Sequence, residues 1–330
     1  MDPRLARGIR HTGKPIKRSL IVLALALAGP LWVMAWSVWE RTRDPLAAIR
    51  RPLGHLDAAH DSTYTVFTAS GESRRYVDVV LRTRNGESIV CTLSLPSNFV
   101  PGSEKLPVVL ILGGLSSGRM SLKYVHAHGR NALVGYQYPY TQKVWYENAG
   151  PREIPRIRRA VHAVPAQCAA LVEWIQQQPW ADAGRVQLLG YSFGALFTPA
   201  ALRVMQADSL AIATATIAFG GAGLEAIGAQ NIDGPPGVRQ LAVWLAGSAL
   251  RPIEPELHLP HLRGEFLLIS GNRDAMIPLR CAQRLQELTP DPKTIVNLDV
   301  EHLDPRRPEL MQLVVQINRE WLLERGAVNP

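Results

Sequence analysis

Residues 185–195 read Arg-Val-Gln-Leu-Leu-Gly-Tyr-Ser-Phe-Gly-Ala, and few local sequences leave a chain so little choice. The first half favours a strand, while Phe193 to Met205 has the composition of a helix, and no loop of ordinary length separates them. A strand that turns at once into a helix needs a sharp corner. Side chains at Gly190 or Gly194 would meet neighbouring backbone there, so small residues are needed on both sides of Ser192. The corner predicts an α/β fold in which Ser192 stands clear of the sheet at the positive end of a helix.

The rest of the chain repeats that alternation. Strands are predicted over Thr63–Thr68, Tyr76–Arg84, Glu87–Leu95, Val108–Leu112, Ala132–Tyr136, Val186–Leu189, Leu210–Phe219, Phe266–Ser270 and Thr294–Val300. Asn85-Gly86 suits a two-residue hairpin between the second and third. Helices are predicted over Ser121–Gly129, Pro165–Gln178, Phe193–Met205, Val238–Leu250, Leu279–Leu288 and Val314–Glu324. Such order specifies a mostly parallel twisted sheet with helices on both faces. Residues 220–263, rich in proline, are too long for a plain connection and are read as an insertion over one end of the sheet.

Gly190-Tyr191-Ser192-Phe193-Gly194 has the spacing of a nucleophile elbow in the strand–turn–helix setting that such a turn requires. A serine at its ordinary acidity is a poor nucleophile and needs a base. Of nine histidines, His302 alone sits just past a strand end, in Val300-Glu301-His302-Leu303. The imidazole in turn needs an acid to hold its tautomer. Asp274, in Gly271-Asn272-Arg273-Asp274, follows the penultimate strand, and Glu225 is a weaker candidate. Asp299 and Asp304 are too near His302 in sequence to reach its far nitrogen easily. Leu112-Gly113-Gly114-Leu115 follows an early strand and offers backbone N–H groups to a developing oxyanion, with Phe193 and either Gly114 or Leu115 as the natural donors.

These four segments, in this order along roughly residues 63–326, resemble the α/β-hydrolase superfamily, and most closely its dienelactone hydrolase and prolyl-oligopeptidase-like branch. The resemblance implies an eight-stranded, mostly parallel sheet, a small cap at 220–263, and a serine hydrolase with Ser192 as nucleophile, Asp274 as acid and His302 as base. It departs from the pattern at Leu112-Gly113, where many members carry His-Gly. No cofactor or metal is implied. The substrate expected is a small-molecule or lipid-like ester; a thioesterase, peptidase or acyltransferase uses the same groups. A catalytically silent hydrolase scaffold is the alternative from another class.

Charge separates the N-terminus from this body. The 330 residues carry a net +8, yet residues 1–51 hold ten Lys/Arg against three Asp/Glu. The remaining chain therefore nets only +1, too little excess for a nucleic-acid surface. Between the basic flanks, Ser19–Trp39 runs 21 residues without an ionisable side chain, roughly 31 Å as a helix. Residues 19–39 are read as an uncleaved transmembrane signal anchor in the lipid bilayer, after a basic segment 1–18 and before a stalk 40–62. The six basic residues before the run favour a cytoplasmic N-terminus and a catalytic domain on the periplasmic or extracytoplasmic side. A cleaved signal peptide is the runner-up.

Lesser features complete the reading. Cys91 and Cys168 fall at core spacing, whereas Cys281 has no assigned role. Arg152, Arg156, Arg158 and Arg159 form a basic cluster, most simply a solvated helix face. His126-x-His128 and His258-x-x-His261 lack partner ligands at metal-binding spacing. Trp145, Trp244 and Met276 are candidates either for an acyl pocket or for the core.

Overall fold

A computed structural model describes residues 13–67, 71–83, 86–100, 102–125, 129–139 and 153–330, with backbone alone for 13–27, 60, 61 and 67. The chain divides into two units, residues 1–43 and Asp44–Pro330. The first contains one helix, α1 (Gly13–Thr42), with Pro30 inside it. Among the described residues no helix is long and apolar enough to cross a membrane. Side chains 19–27 of the proposed anchor lie outside the described residues, as do the charges of its N-terminal flank.

In the second unit, nine strands form one sheet in the order β1-β2-β3-β5-β4-β6-β7-β8-β9. They are β1 (Leu56–Phe67), β2 (Ser73–Thr83), β3 (Ser88–Pro96), β4 (Leu106–Leu112), β5 (Ala132–Gln137), β6 (Ala181–Tyr191), β7 (Thr214–Ala218), β8 (Glu265–Gly271) and β9 (Lys293–Leu298). Strands β1, β2, β3 and β5 pair antiparallel, and every pair from β5 across to β9 is parallel. The sheet is therefore one strand larger than the resemblance implies. The first strand, predicted over Thr63–Thr68, begins seven residues earlier, inside the segment read as a stalk. Pro45–Ile49 is a short helix, α2, with Ile49 buried, and β1 begins at Leu56. As an edge strand, β1 leaves much of itself in solvent, so its sequence carries no sustained apolar alternation. Residue 85 of the predicted hairpin lies outside the described residues; β2 and β3 pair in register around it.

The sheet is apolar on both faces, as parallel strands with helical cover must be. Val108, Leu110 and Leu112 of β4 join a large core with Cys168, Leu171 and Val172 of α3 (Ile154–Gln176) and Phe197 and Ala201 of α4 (Phe193–Ala207). Val109 and Ile111 point the other way, into a smaller core with Leu310, Val314 and Trp321 of the helix Pro308–Glu324. The helix α3 starts eleven residues before the predicted Pro165, which is buried inside it rather than at its first turn. Leu279–Leu288 is helical as predicted, while the predicted helix Ser121–Gly129 overlaps a 3-10 segment over Gly118–Tyr124, and its residues 126–128 are outside the described residues.

The insertion folds into α5 (Leu224–Asn231), α6 (Pro236–Leu250) and short turns to His261. Glu254 fastens it, accepting hydrogen bonds from the N–H groups of Gly223 at 2.8 Å and Leu224 at 2.7 Å. The last residues are held as firmly. Asn131 Nδ2 donates to the Asn329 carbonyl at 2.9 Å while Asn329 N–H donates to Asn131 Oδ1 at 2.7 Å. Arg185 donates to Asn329 Oδ1 and Gln187 Nε2 to the Ala327 carbonyl, both at 2.9 Å.

Candidate active site

Parallel strands converge at their C-terminal ends, and that edge is where an open α/β sheet gathers functional groups. Strand β4 ends before Gly113-Gly114, β6 ends just before Ser192, β8 leads into Asp274, and β9 precedes His302. Ser192 occupies φ 54° and ψ −115°, a conformation that costs an L-residue on the order of 1–3 kcal/mol. The corner is held from several sides. Ser192 N–H donates to the Ala218 carbonyl at 2.9 Å. A Cβ on Gly194 would overlap the Leu112 carbonyl, and one on Gly190 would overlap Thr198 Oγ1 and crowd the Gly194 carbonyl. Helix and strand approach this closely only because both residues are glycine.

The elbow brings Ser192 Oγ to 2.7 Å from His302 Nε2. The other ring nitrogen, Nδ1, lies 2.6 Å from Asp274 Oδ2. Asp274 is 3% exposed in its side chain and His302 11%. The second carboxylate oxygen of Asp274 accepts from the N–H groups of Met276 at 2.8 Å and Ile277 at 2.9 Å, which fixes the carboxylate plane. Ser192, Asp274 and His302 thus meet, although 110 residues separate the serine from the histidine. Glu225 is not part of this chain of contacts; it packs beside Gly247 on the insertion. Asp299 pairs with Arg273 at 3.1 Å and Asp304 with Arg306 at 2.7 Å, the latter holding the Asp304 carboxyl down at about 2.

Several positioning contacts carry no signal in the sequence. The His302 ring stands edge-to-face on Phe219, centroids 5.9 Å apart, and Phe219 follows β7 with φ 55°. The loops that carry Asp274 and His302 are stitched together: Asn272 N–H donates to the Leu298 carbonyl at 2.8 Å and Arg273 N–H to that of Val300 at 3.0 Å. Tyr138 Oη donates to the Gly113 carbonyl at 2.6 Å, and its ring meets that of Phe193 at 5.0 Å. That one tyrosine links the glycine loop to the elbow, and burial pushes its hydroxyl well above the ordinary phenol range. Aromatic identity at 138 and 219 is as common in plain cores, so position in the fold, not residue type, reveals the roles.

A cavity of about 490 Å³ opens beside Ser192 and His302. Gly114 and Leu115 line it, while Phe193 begins α4 immediately after the serine. Met276 lines it too; Trp244 does not, and Trp145 is outside the described residues. No residue of 220–263 lines this cavity; the insertion packs on α3, where His162 Nε2 is 2.8 Å from the Ala249 carbonyl, and touches the lining residue Met276, whose carbonyl accepts from Asn231 Nδ2 at 2.8 Å. Arg156, Arg158 and Arg159 lie on α3 away from the cavity, and Arg152 is outside the described residues.

All three cysteines are free and buried. Burial pushes the Cys91 thiol up to about 12 and Cys168 higher still. Cys281 is also raised and packs behind Gly221 and Gly223. His258 is buried with Nε2 2.8 Å from the Pro252 carbonyl, and desolvation lowers it to about 4. His126 and His128 are outside the described residues. Among the described residues no three His, Cys, Asp or Glu side chains gather as a metal site would require.

No protein-family model and no curated protein sequence matches this chain. Solved structures do. An acetyl xylan esterase from Paenibacillus sp. R4 superposes with a TM-score of 0.58 at 16% identity, covering 87% of this chain and 93% of its own. Acetyl xylan esterase 1 from Thermoanaerobacterium sp. JW/SL YS485 gives 0.58 at 15%, with 86% and 93% covered. The Pyrococcus furiosus esterase Pf2001 gives 0.50 at 16%, with 76% and 92% covered. With the strand order, the elbow and the loop placements above, these likenesses establish that the chain has the α/β-hydrolase fold.

Proposed function

We propose that this chain is a serine hydrolase that cleaves carboxylic esters. The observation that carries the reading is the relay Ser192 Oγ, His302, Asp274 at 2.7 and 2.6 Å, set at the C-terminal edge of the sheet. His302 Nε2 takes the proton of Ser192 as Oγ adds to the ester carbonyl carbon, and the carbonyl electron pair moves onto oxygen. Asp274 keeps the Nδ1 proton in place and stabilises the imidazolium. Backbone N–H groups of Phe193 and of Gly114 or Leu115 are assigned to the oxyanion, a contribution worth a few kcal/mol per donor in such sites. Collapse of the intermediate expels the alcohol with the proton from His302. Water, deprotonated by the same imidazole, then releases the acid and restores Ser192. The esterases among the similar folds support an ester as substrate.

Covalent labelling with a fluorophosphonate probe tests the assignment. Wild type is expected to label and Ser192→Ala not to. A folded wild type that stays unlabelled, or a Ser192→Ala variant that labels equally, overturns it.

The same proposal places the chain at a membrane through residues 19–39, with its N-terminus cytoplasmic and the catalytic unit outside. The support is the uncharged 21-residue run between basic flanks. Carbonate-washed membranes are expected to retain the full chain and to release it when Leu23 and Leu25 are both changed to Arg. A reporter joined by a linker after Pro330 that is active only in the cytoplasm overturns the orientation.

A further inference from the structure

The cavity beside Ser192 falls within the size range of small-molecule sites. Its lining has a chemical bias. Among the described residues that line it, none is Lys, Arg, Asp or Glu. Two of its serine hydroxyls are already engaged: Ser117 Oγ is 2.8 Å from Ser121 Oγ, and Ser121 Oγ donates to the Gly118 carbonyl at 2.7 Å. What remains toward the ligand is chiefly aliphatic, from Leu115, Val125, Met276, Leu303, Met311 and Val314.

The arrangement of these side chains gives the cavity a fixed end and an open end. Val314 is 1% exposed and Leu303 9%, locked in the smaller core by the helix Pro308–Glu324. Met276 is 49% exposed and stands at the mouth, beside the acid whose Oδ1 its own N–H contacts. The volume is about sixteen times the share of one liquid water molecule, so an acetyl group leaves most of it unfilled. An apolar arm displaces that water onto aliphatic wall, whereas a charged end group finds no charged partner among the described lining residues and loses its hydration.

We infer that the site selects uncharged esters bearing an apolar arm of roughly four to eight carbons, laid against Leu303, Met311 and Val314. This inference rests on the serine-hydrolase reading above. The arm belongs either to the acyl group or to the alcohol, two sources of one chemistry that two substrate series separate.

The test is kcat/KM of the full chain for p-nitrophenyl esters from acetyl to decanoyl, and for acetates of alcohols from methyl to octyl. In the series that carries the arm, kcat/KM is expected to rise about fourfold per methylene before levelling off. A terminal carboxylate on the same arm is expected to lower it at least tenfold. Met311→Trp is expected to cut the ratio of octanoyl (or octyl) to acetyl (or methyl) rates at least fivefold, with each rate counted per fluorophosphonate-labelled Ser192; Met311→Leu preserves the ratio. Met311→Ser, which adds no volume, is expected to lower the long-arm rates even where the tryptophan variant does not fold. Ser192-dependent labelling with flat or falling profiles in both series overturns the apolar-arm inference alone. Equal rates for charged and uncharged arms overturn it too. Loss of labelling overturns the hydrolase reading, and this inference with it.

Discussion

Asp274 shows how much of a site's chemistry depends on acceptor capacity. One of its oxygens takes two backbone N–H groups and the other faces His302, so an amide in its place puts a donor where an acceptor is needed. Asp274→Asn is expected to lower kcat by about 10³–10⁴-fold with the denaturation midpoint nearly unchanged, because the imidazole then settles in the wrong tautomer. Ester turnover beside urea unfolding checks both halves. Gly194 makes the opposite case, a residue whose value is its missing side chain. Gly194→Ala forces its Cβ into the Leu112 carbonyl and is expected to cost about 1–3 kcal/mol in urea unfolding, with labelling of Ser192 slowed.

At the scale of elements, the insertion is a structural brace whose removal from the chemistry can be measured. Glu254 satisfies the first N–H groups of α5 from inside a buried setting, and burial pushes its carboxyl upward against the pull of those N–H groups. Glu254→Ala leaves two donors without it and is expected to destabilise by about 1–3 kcal/mol. Since no insertion residue lines the cavity, the folded variant should label at the wild-type rate. A large loss of labelling in a folded Glu254→Ala protein contradicts the separation of brace and site.

The same elements show where sequence was sufficient. Elbow, acid and base are legible because each follows directly on a strand whose apolar run marks it, so chain order alone places Ser192, Asp274 and His302 on one edge. The insertion's position is not legible, because Pro and Gly announce a departure from the sheet but not the face on which the chain settles. The first half of β1, before the predicted Thr63, is illegible for a related reason: an edge strand exposes residues such as Asp57, Ala59 and Ser62, and periodicity reports burial rather than pairing. The start of α3 is hidden by Pro165, which fits inside the helix but reads as a boundary.

For the molecule as a whole, two cores on one sheet make global stability sensitive to acid through buried groups. His258 titrates at about 4 when folded, below the ordinary 6.5, because burial disfavours the charged ring. Between those values the unfolded chain binds a proton that the folded chain does not. The stability this histidine confers is therefore complete above pH 6.5 and is lost as pH falls toward 4. Urea unfolding is expected to show about 2 kcal/mol less stability at pH 5 than at pH 7 from this group. His258→Gln should flatten that dependence by about the same amount.

The reciprocal bonds of Asn131 with Asn329, and of Gln187 with Ala327, also have a consequence in time. Asn131, just before β5, and Gln187, within β6, wait for partners encoded at positions 327 and 329. During synthesis the N-terminal strands emerge seconds before those residues, since translation adds about 5–20 residues each second. The nascent sheet must remain incomplete in that interval, with Asn131 and Gln187 hydrated and the smaller core unsealed. A chain stopped before residue 327 should therefore display a protease-sensitive sheet.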